Sequence, residues 1–254
     1  AAGHSIAGFD IDSEKIATLE EELSGSGGDH LLESFDIADR KKILKFRDRV
    51  LEKYGHVDTV LSNVGIGFFS PFEEADLEKA LSCLEINVIG AAAIFQAFLP
   101  SMRRQGKGKM IAMSSLVGRI PFPFESIYTA SKFAITGLMQ SIKYEVEHFG
   151  IDVAVIEPAQ VSTSFAAKIH VLPKEGSPYR ERAARFIDRD NELIKKAPDP
   201  ECAAEKIVRV VTAPKMHFFN QIDSQSRFLL WLNRFIPGGL RDAILVSHMD
   251  IKVK

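Results

Sequence analysis

Short apolar runs alternate with longer amphipathic stretches along almost the whole chain, and this alternation restricts the fold more than any other feature of the sequence. Residues 5–9 read as a strand, after which Asp12 and Ser13 cap a helix running to Leu23, with Glu14 in its first turn. The run Gly25-Ser-Gly-Gly ends that helix, and residues 31–35 form a weaker strand. An amphipathic helix over 40–54 closes at Gly55 and is followed by a strand at 57–61. A loop rich in Gly, Phe and Pro (65–72) leads into a long helix over about 76–99. Then come a strand at 110–113, a helix at 128–148 and a strand at 151–156. Residues 208–211 end a further helix, and 216–219 form a final strand. Strands alternating with helices of this length predict parallel βαβ units in an α/β, doubly wound, Rossmann-like, mostly parallel sheet. All 254 residues fit one domain. Only 162–200, with Pro173, Pro178 and Pro198, breaks the rhythm, and it is expected to pass over the crevice at the carboxyl ends of the strands.

A formal net charge of −2 leaves no basic excess to neutralise phosphates, which argues against a nucleic-acid partner. Cys83 and Cys202 are too few for a disulfide framework and have no metal-ligand spacing, so a reducing, cytoplasmic setting and no metal are expected. No uninterrupted apolar run reaches the 18 or so residues of a membrane span, and no signal peptide opens the chain. No transmembrane segment is therefore expected.

The chemistry concentrates at Tyr128, four residues before Lys132, and at Ser115, thirteen residues before Tyr128 at the end of the apolar run 110–115. A phenol with its ordinary pKa of about 10 exchanges protons poorly at neutral pH. A nearby ammonium favours the phenolate, and positions i and i+4 of a helix share one face. A serine hydroxyl at the same point would hold a carbonyl or alcohol oxygen. Together the three residues suit proton transfer on an alcohol/carbonyl pair.

Several further stretches occur in a fixed order: Leu61-Ser-Asn-Val-Gly65 after a strand, Asn87 in the long helix, Ser114-Ser115, Tyr128-Thr-Ala-Ser-Lys132 and Glu157-Pro-Ala-Gln-Val-Ser-Thr163. With these the chain resembles the classical short-chain dehydrogenase/reductase family over nearly its whole length. Its C-terminal third looks nearest to the hydroxysteroid and retinol dehydrogenase branch. The resemblance implies an NAD(P)-dependent enzyme acting on CH–OH donors, with Tyr128 as general acid/base and Ser115 holding the substrate oxygen. Lys132 would lower the Tyr128 pKa and bind the nicotinamide ribose, and Asn87 would anchor a relay water. It further implies cofactor contacts from Asp36 and Ile37 beside the adenine, Asn63 and Gly65 along the cofactor, Tyr128 and Lys132, and Pro158, Val161 and Thr163 at the carboxamide. Val64 and Ala159 depart from the family's usual alanine and glycine. Asp10, closing the 5–9 strand, can accept hydrogen bonds from ribose hydroxyls and would repel a 2′-phosphate, which favours NAD over NADP. It can equally belong to the capping turn with Asp12.

The family opens with a strand and a Thr-Gly-x-x-x-Gly-x-Gly turn that holds the pyrophosphate. This chain opens at Ala1-Ala-Gly-His, which matches the end of the following helix, so a longer native chain is expected. Ile66, Phe68, Phe69, residues 121–124, Phe165, Ile169, Val171, Leu172 and Tyr179 would line an apolar pocket for a lipophilic substrate. An amphipathic helix around 228–236, with Arg227 and Arg234, would cover that pocket, form an oligomer interface or rest on a membrane surface. The family is usually a homodimer or homotetramer. Two other readings are a non-catalytic nucleotide-binding sensor or scaffold, and an epimerase or dehydratase of nucleotide sugars, for which the chain after residue 160 is short.

Overall fold

The computed structural model describes residues 3–25, 27–162, 165 and 171–252. Its elements follow the predicted alternation. Strand β1 (Ala7–Asp10), helix α1 (Ser13–Ser24), β2 (Leu31–Ser34) and α2 (Arg40–Tyr54) come first. The chain continues through β3 (Thr59–Ser62), α3 (Leu77–Leu84), a π-helical segment (Glu85–Gly90) and α4 (Ala91–Gln105). Next are β4 (Gly108–Met113), α5 (Ser126–Val146), β5 (Ile151–Ile156), α6 (Arg180–Lys195) and α7 (Pro200–Thr212). The last elements are β6 (Phe219–Asn220), α8 (Ser224–Asn233) and α9 (Gly238–His248).

All strand pairs are parallel, but the sheet is divided. β1 and β2 form one ribbon, and β3-β4-β5-β6 form the other in that order. The division between β1 and β3 falls where the family resemblance puts a strand ahead of Ala1. β4 and β5 are flanked on both sides, and β5 is buried at nearly every position, as its unbroken apolar run requires.

Asp12, Asp39 and Asp76 accept hydrogen bonds from backbone N–H groups of the first turns of α1, α2 and α3, satisfying donors that a helix start leaves open. One core gathers Phe35, Phe46, Phe95, Phe98, Met110 and Met139 between the sheet and its helices, with Phe9 stacked on Phe35 at 4.0 Å. A second cluster joins Phe69, Phe186, Met249 and Ile251.

One expectation needs correction. The final strand is only two residues long, Phe219–Asn220, because its pairing with β5 ends there. The expectation of no transmembrane segment rested on uninterrupted apolar runs, and one helix bears on it without overturning it. The continuous helix Leu77–Gln105 is 29 residues long and apolar enough by length and composition to cross a membrane. Its inner face, with Ile94, Phe95, Phe98 and Met102, is packed into the core.

Candidate active site

The carboxyl ends of the parallel strands place most of the predicted residues at one end of the sheets. Asp10 ends β1, Asp36 and Ile37 follow β2, Asn63 and Gly65 follow β3, Ser115 follows β4, and Pro158 follows β5. Such ends are where ligands bind in open α/β sheets.

Tyr128 and Lys132 lie on the first turns of α5, and both are buried. Lys132 Nζ donates to the Met113 carbonyl at 2.9 Å and stands 5.5 Å from the centroid of the Tyr128 ring. Burial lowers the Lys132 pKa to about 8, with the Cys83 thiol partly opposing the shift. Burial also drives the Tyr128 phenol well above the usual tyrosine range. The nearby Glu125 carboxyl adds to this and the Ser115 hydroxyl pulls back. In the protein alone desolvation acts on both groups in opposite directions, raising the phenol and lowering the ammonium. Ser115 is extended (φ −169°, ψ 164°) at the start of a short 3₁₀ turn, Leu116–Gly118, and its Oγ accepts from Val117 N at 3.3 Å. The Phe165 ring lies 5.9 Å from that of Tyr128.

Asn87 sits inside the π-helical segment, 2 % exposed. Such a segment inserts one residue into the helix and re-aims the side chains it carries. Asn87 Oδ1 accepts from Ile66 N at 2.8 Å, while Nδ2 donates to Ile66 O and Ser131 Oγ, both at 2.9 Å, and to Cys83 Sγ at 3.4 Å. The side chain therefore ties the loop after β3 to α5. Ser131 passes the link on by donating to the Tyr128 carbonyl at 2.7 Å.

The cofactor residues divide into two groups. Gly65 stands against the catalytic candidates: a Cβ there would lie in van der Waals contact, 3.4 Å from both Asn87 Oδ1 and Lys132 Nζ. Ile37 is buried against Gly90, where an added Cβ would fall 2.9 Å from Ile37 Cγ1. Asp36 Oδ1 accepts from Ala38 N at 2.9 Å, holding the turn after β2. Asn63 is exposed at the strand end, and the Pro158 carbonyl accepts from Leu116 N at 2.8 Å. Val161 packs instead beside Ile111 and Ile156, and Thr163 lies outside the described residues. Asp10 is exposed and accepts from Asp12 N at 3.0 Å, so it does serve the capping turn. A carboxylate there keeps lone pairs for ribose hydroxyls. Ser62 Oγ, buried at the end of β3, has no partner among the described residues. This unpaired hydroxyl, the open strand ends and the close approach at Gly65 fit a dinucleotide lying across them.

Two residues near the tyrosine were missed in the sequence. Ser131 stands in the Tyr128–Lys132 run itself, and its complete burial, 0 % exposed, was the unseen part. Glu125, an acid after four aromatic or proline residues, is 8 % exposed, and burial with the Asp190 charge raises its pKa to about 8. Of the expected pocket lining, Phe69 packs on Phe124 (5.8 Å) and on Phe186 (5.6 Å), while Ile66, Phe165, Val171 and Leu172 are exposed. Tyr179 donates to Glu73 at 2.5 Å, and Ile169 lies outside the described residues.

The family model described as short chain dehydrogenase matches residues 1–171. The human 17-beta-hydroxysteroid dehydrogenase type 1 is 33% identical over 186 residues, covering 71% of this chain and 56% of that protein. Dehydrogenase/reductase SDR family member 7B of Mus musculus is 31% identical over 183 residues, covering 70% of this chain and 56% of that protein. The chain thus spans little more than half the length of these relatives. Among solved structures, a short-chain dehydrogenase from Streptomyces avermitilis superposes with a TM-score of 0.77 at 26% identity, covering 96% of this chain and 86% of that one. An enzyme of the same description from Burkholderia phymatum in complex with NAD gives a TM-score of 0.77 at 19% identity, covering 98% and 87%, which bears on the fold alone. A metagenomic short-chain oxidoreductase in complex with NADP gives 0.59 at 28% identity, covering 61% and 71%.

Proposed function

Because the chain belongs to the short-chain dehydrogenase family, we propose that it transfers a hydride between NAD(H) and a secondary alcohol or ketone on a lipophilic, steroid-, retinoid- or long-chain-like molecule. The observation that carries this reading is the meeting of Ser115, Tyr128 and Lys132 at the carboxyl ends of β4 and β5, braced by Asn87. Bound NAD would supply the hydride acceptor or donor. Tyr128 Oη holds or releases the proton of the substrate hydroxyl, and Ser115 Oγ orients the substrate oxygen toward it. Lys132, released from the Met113 carbonyl, has donors for ribose hydroxyls, and its charge then favours the phenolate. Asn63, Gly65, Asp36, Ile37 and Pro158 would hold the cofactor's length, and Asp10 supports NAD over NADP. The aromatic residues 122 and 124 with Phe69 and Phe165 support a lipophilic substrate.

A homodimer or homotetramer in a cytoplasmic setting belongs to the same reading. It is supported by exposed Leu77, Leu81 and Phe133 on α3 and α5 and by two unpaired cysteines. The test is fluorescence titration with NADH and NADPH, followed by turnover of the secondary alcohols estradiol and 2-decanol. NADH bound more tightly than NADPH, with oxidation of at least one of these alcohols, is expected. No binding of either nucleotide overturns the reading.

A further inference from the structure

The second half of the molecule carries an apolar surface that the proposed reaction does not use. On α8 and the residue after its C-cap, Phe228, Trp231 and Phe235 are 58%, 54% and 68% exposed. Their rings form a continuous row, with centroids 6.5 Å apart from Phe228 to Trp231 and 5.4 Å from Trp231 to Phe235. On α9, Leu240 and Ile244 are also exposed, at 55% and 42%. Three large aromatic side chains in solvent, side by side, are uncommon on a surface that stays in water.

The charges around this row have one sign. Between residues 224 and 241 stand Arg227, Arg234 and Arg241, and no acidic residue. Arg227 and Arg234 are exposed, and neither appears in an ion pair among the described residues. Only Arg241 is engaged, by Asp242 at 3.0 Å. Aromatic residues beside unneutralised arginines match the headgroup zone of an anionic bilayer, where rings lie at the acyl boundary and guanidinium groups reach phosphates. A second copy of the same face would bring Arg227 and Arg234 together, with Asp242, already engaged by Arg241, as the exposed acid of α9.

The opposite side of α8 is anchored. Leu230 is 3% exposed and packs with Leu116, Ile120 and Phe122, in the loop that follows Ser115. The helix therefore cannot turn its aromatic row inward without giving up this contact.

We propose that the row Phe228–Trp231–Phe235, flanked by Arg227 and Arg234, is a docking surface for a membrane bearing anionic lipid headgroups. The proposal does not depend on the redox reading, and its back face on the Ser115 loop would bring a lipid-dissolved substrate close to the proposed pocket.

Trp231 is the chain's sole tryptophan, so its emission reports directly on this surface. The protein is mixed with phosphatidylcholine vesicles, with and without phosphatidylserine, and emission and co-sedimentation are measured together. The expected result is a blue shift and co-sedimentation with the phosphatidylserine vesicles, both weakening as salt rises. Arg227→Gln and Arg234→Gln should each lower the partition coefficient by about fivefold. Being exposed, these two positions can be changed without disturbing the fold. Phe228→Ser with Phe235→Ser should abolish binding, with circular dichroism checking that the helices remain. An unchanged emission, or equal binding to phosphatidylcholine alone, overturns the proposal. So does a blue shift that grows with protein concentration in the absence of vesicles, alongside a doubled mass, since that identifies a second copy as the occupant.

Discussion

Lys132 points its Nζ at the Met113 carbonyl, 2.9 Å away, while the Tyr128 ring centre lies 5.5 Å from the same nitrogen. The lysine of the pair is thus stored on the backbone of β4, at the strand end that also supplies Ser115. A buried ammonium costs less when a carbonyl accepts from it, yet its pKa still falls to about 8. The phenol, equally buried, stays protonated. In the function proposed above, a ligand's hydroxyl groups would have to draw Lys132 off Met113 before its charge could act on the phenol.

Tyr128→Phe removes only the phenolic oxygen from a well-packed ring. Turnover should fall by about 10³-fold, in the range of a lost general acid/base. The thermal midpoint should fall by no more than about 2–4 °C, the cost of one hydrogen bond in a chain of this size. Steady-state kinetics and a melting curve check the two halves, and activity within tenfold of the parent would remove Tyr128 from its role.

Glu125 gives a pH dependence with a definite sign. Its folded-state pKa is raised from 4.5 to about 8, so the folded chain binds the extra proton between those values. The stability it contributes is complete below pH 4.5 and is lost as pH rises through about 8. Glu125→Gln cannot titrate, so its melting temperature should change less than the parent's across that window. Parallel curves for the two proteins would show that Glu125 ionises normally.

Asn87→Ala should destabilise the fold by about 2–4 kcal/mol. It strips a partner from the part-buried N–H and C=O of Ile66 and from the buried Ser131 hydroxyl, at about 1–3 kcal/mol for a buried group left unsatisfied and less for a part-buried one. Urea unfolding measures this. A loss below about 0.5 kcal/mol, no more than a surface substitution costs, would show that the bracing is not structural.

Gly118→Ala should be as severe from the opposite cause. Its Cβ would come 2.6 Å from Ser114 Oγ and 2.9 Å from the Lys132 carbonyl, and the second of these is helix backbone. Overpacking of this kind costs about 1–3 kcal/mol. Because the clash pushes on α5 at Lys132, nucleotide affinity should weaken along with the melting temperature. Replacing Ser114 by Gly in the same chain relieves the hydroxyl contact alone and should restore only part of both.

Much of this molecule is legible in the sequence because period carries it. Helix α2 and strand β5 fall where the amphipathic and continuous apolar patterns put them, and the same strand ends carry the site residues. What escaped had no period to reveal it. Helix α9 starts directly after Pro237 with Gly238 and Gly239 in its first turn, so residues that usually stop a helix here open one. The π-helical insertion at Asn87 leaves the composition of the long helix unchanged. The Tyr128–Lys132 spacing was visible, but the desolvation that governs both pKa values depends on burial, which a spacing does not contain. Glu125 could have been singled out as an isolated acid in an aromatic stretch, whereas its neighbour Asp190 lies 65 positions further along the chain and meets it only through folding.

The order of the strands also sets which part of the sheet opens first. Among the described residues β6 pairs with β5 alone and over only two residue pairs. Backbone amides in β4 and β5 are held from two sides. In deuterated water the amides of residues 110–112 and 153–155 should therefore exchange well after those of the edge strand β6, Phe219–Asn220. The strand ends that carry Ser115 and Pro158 would then belong to the part of the described sheet that opens last.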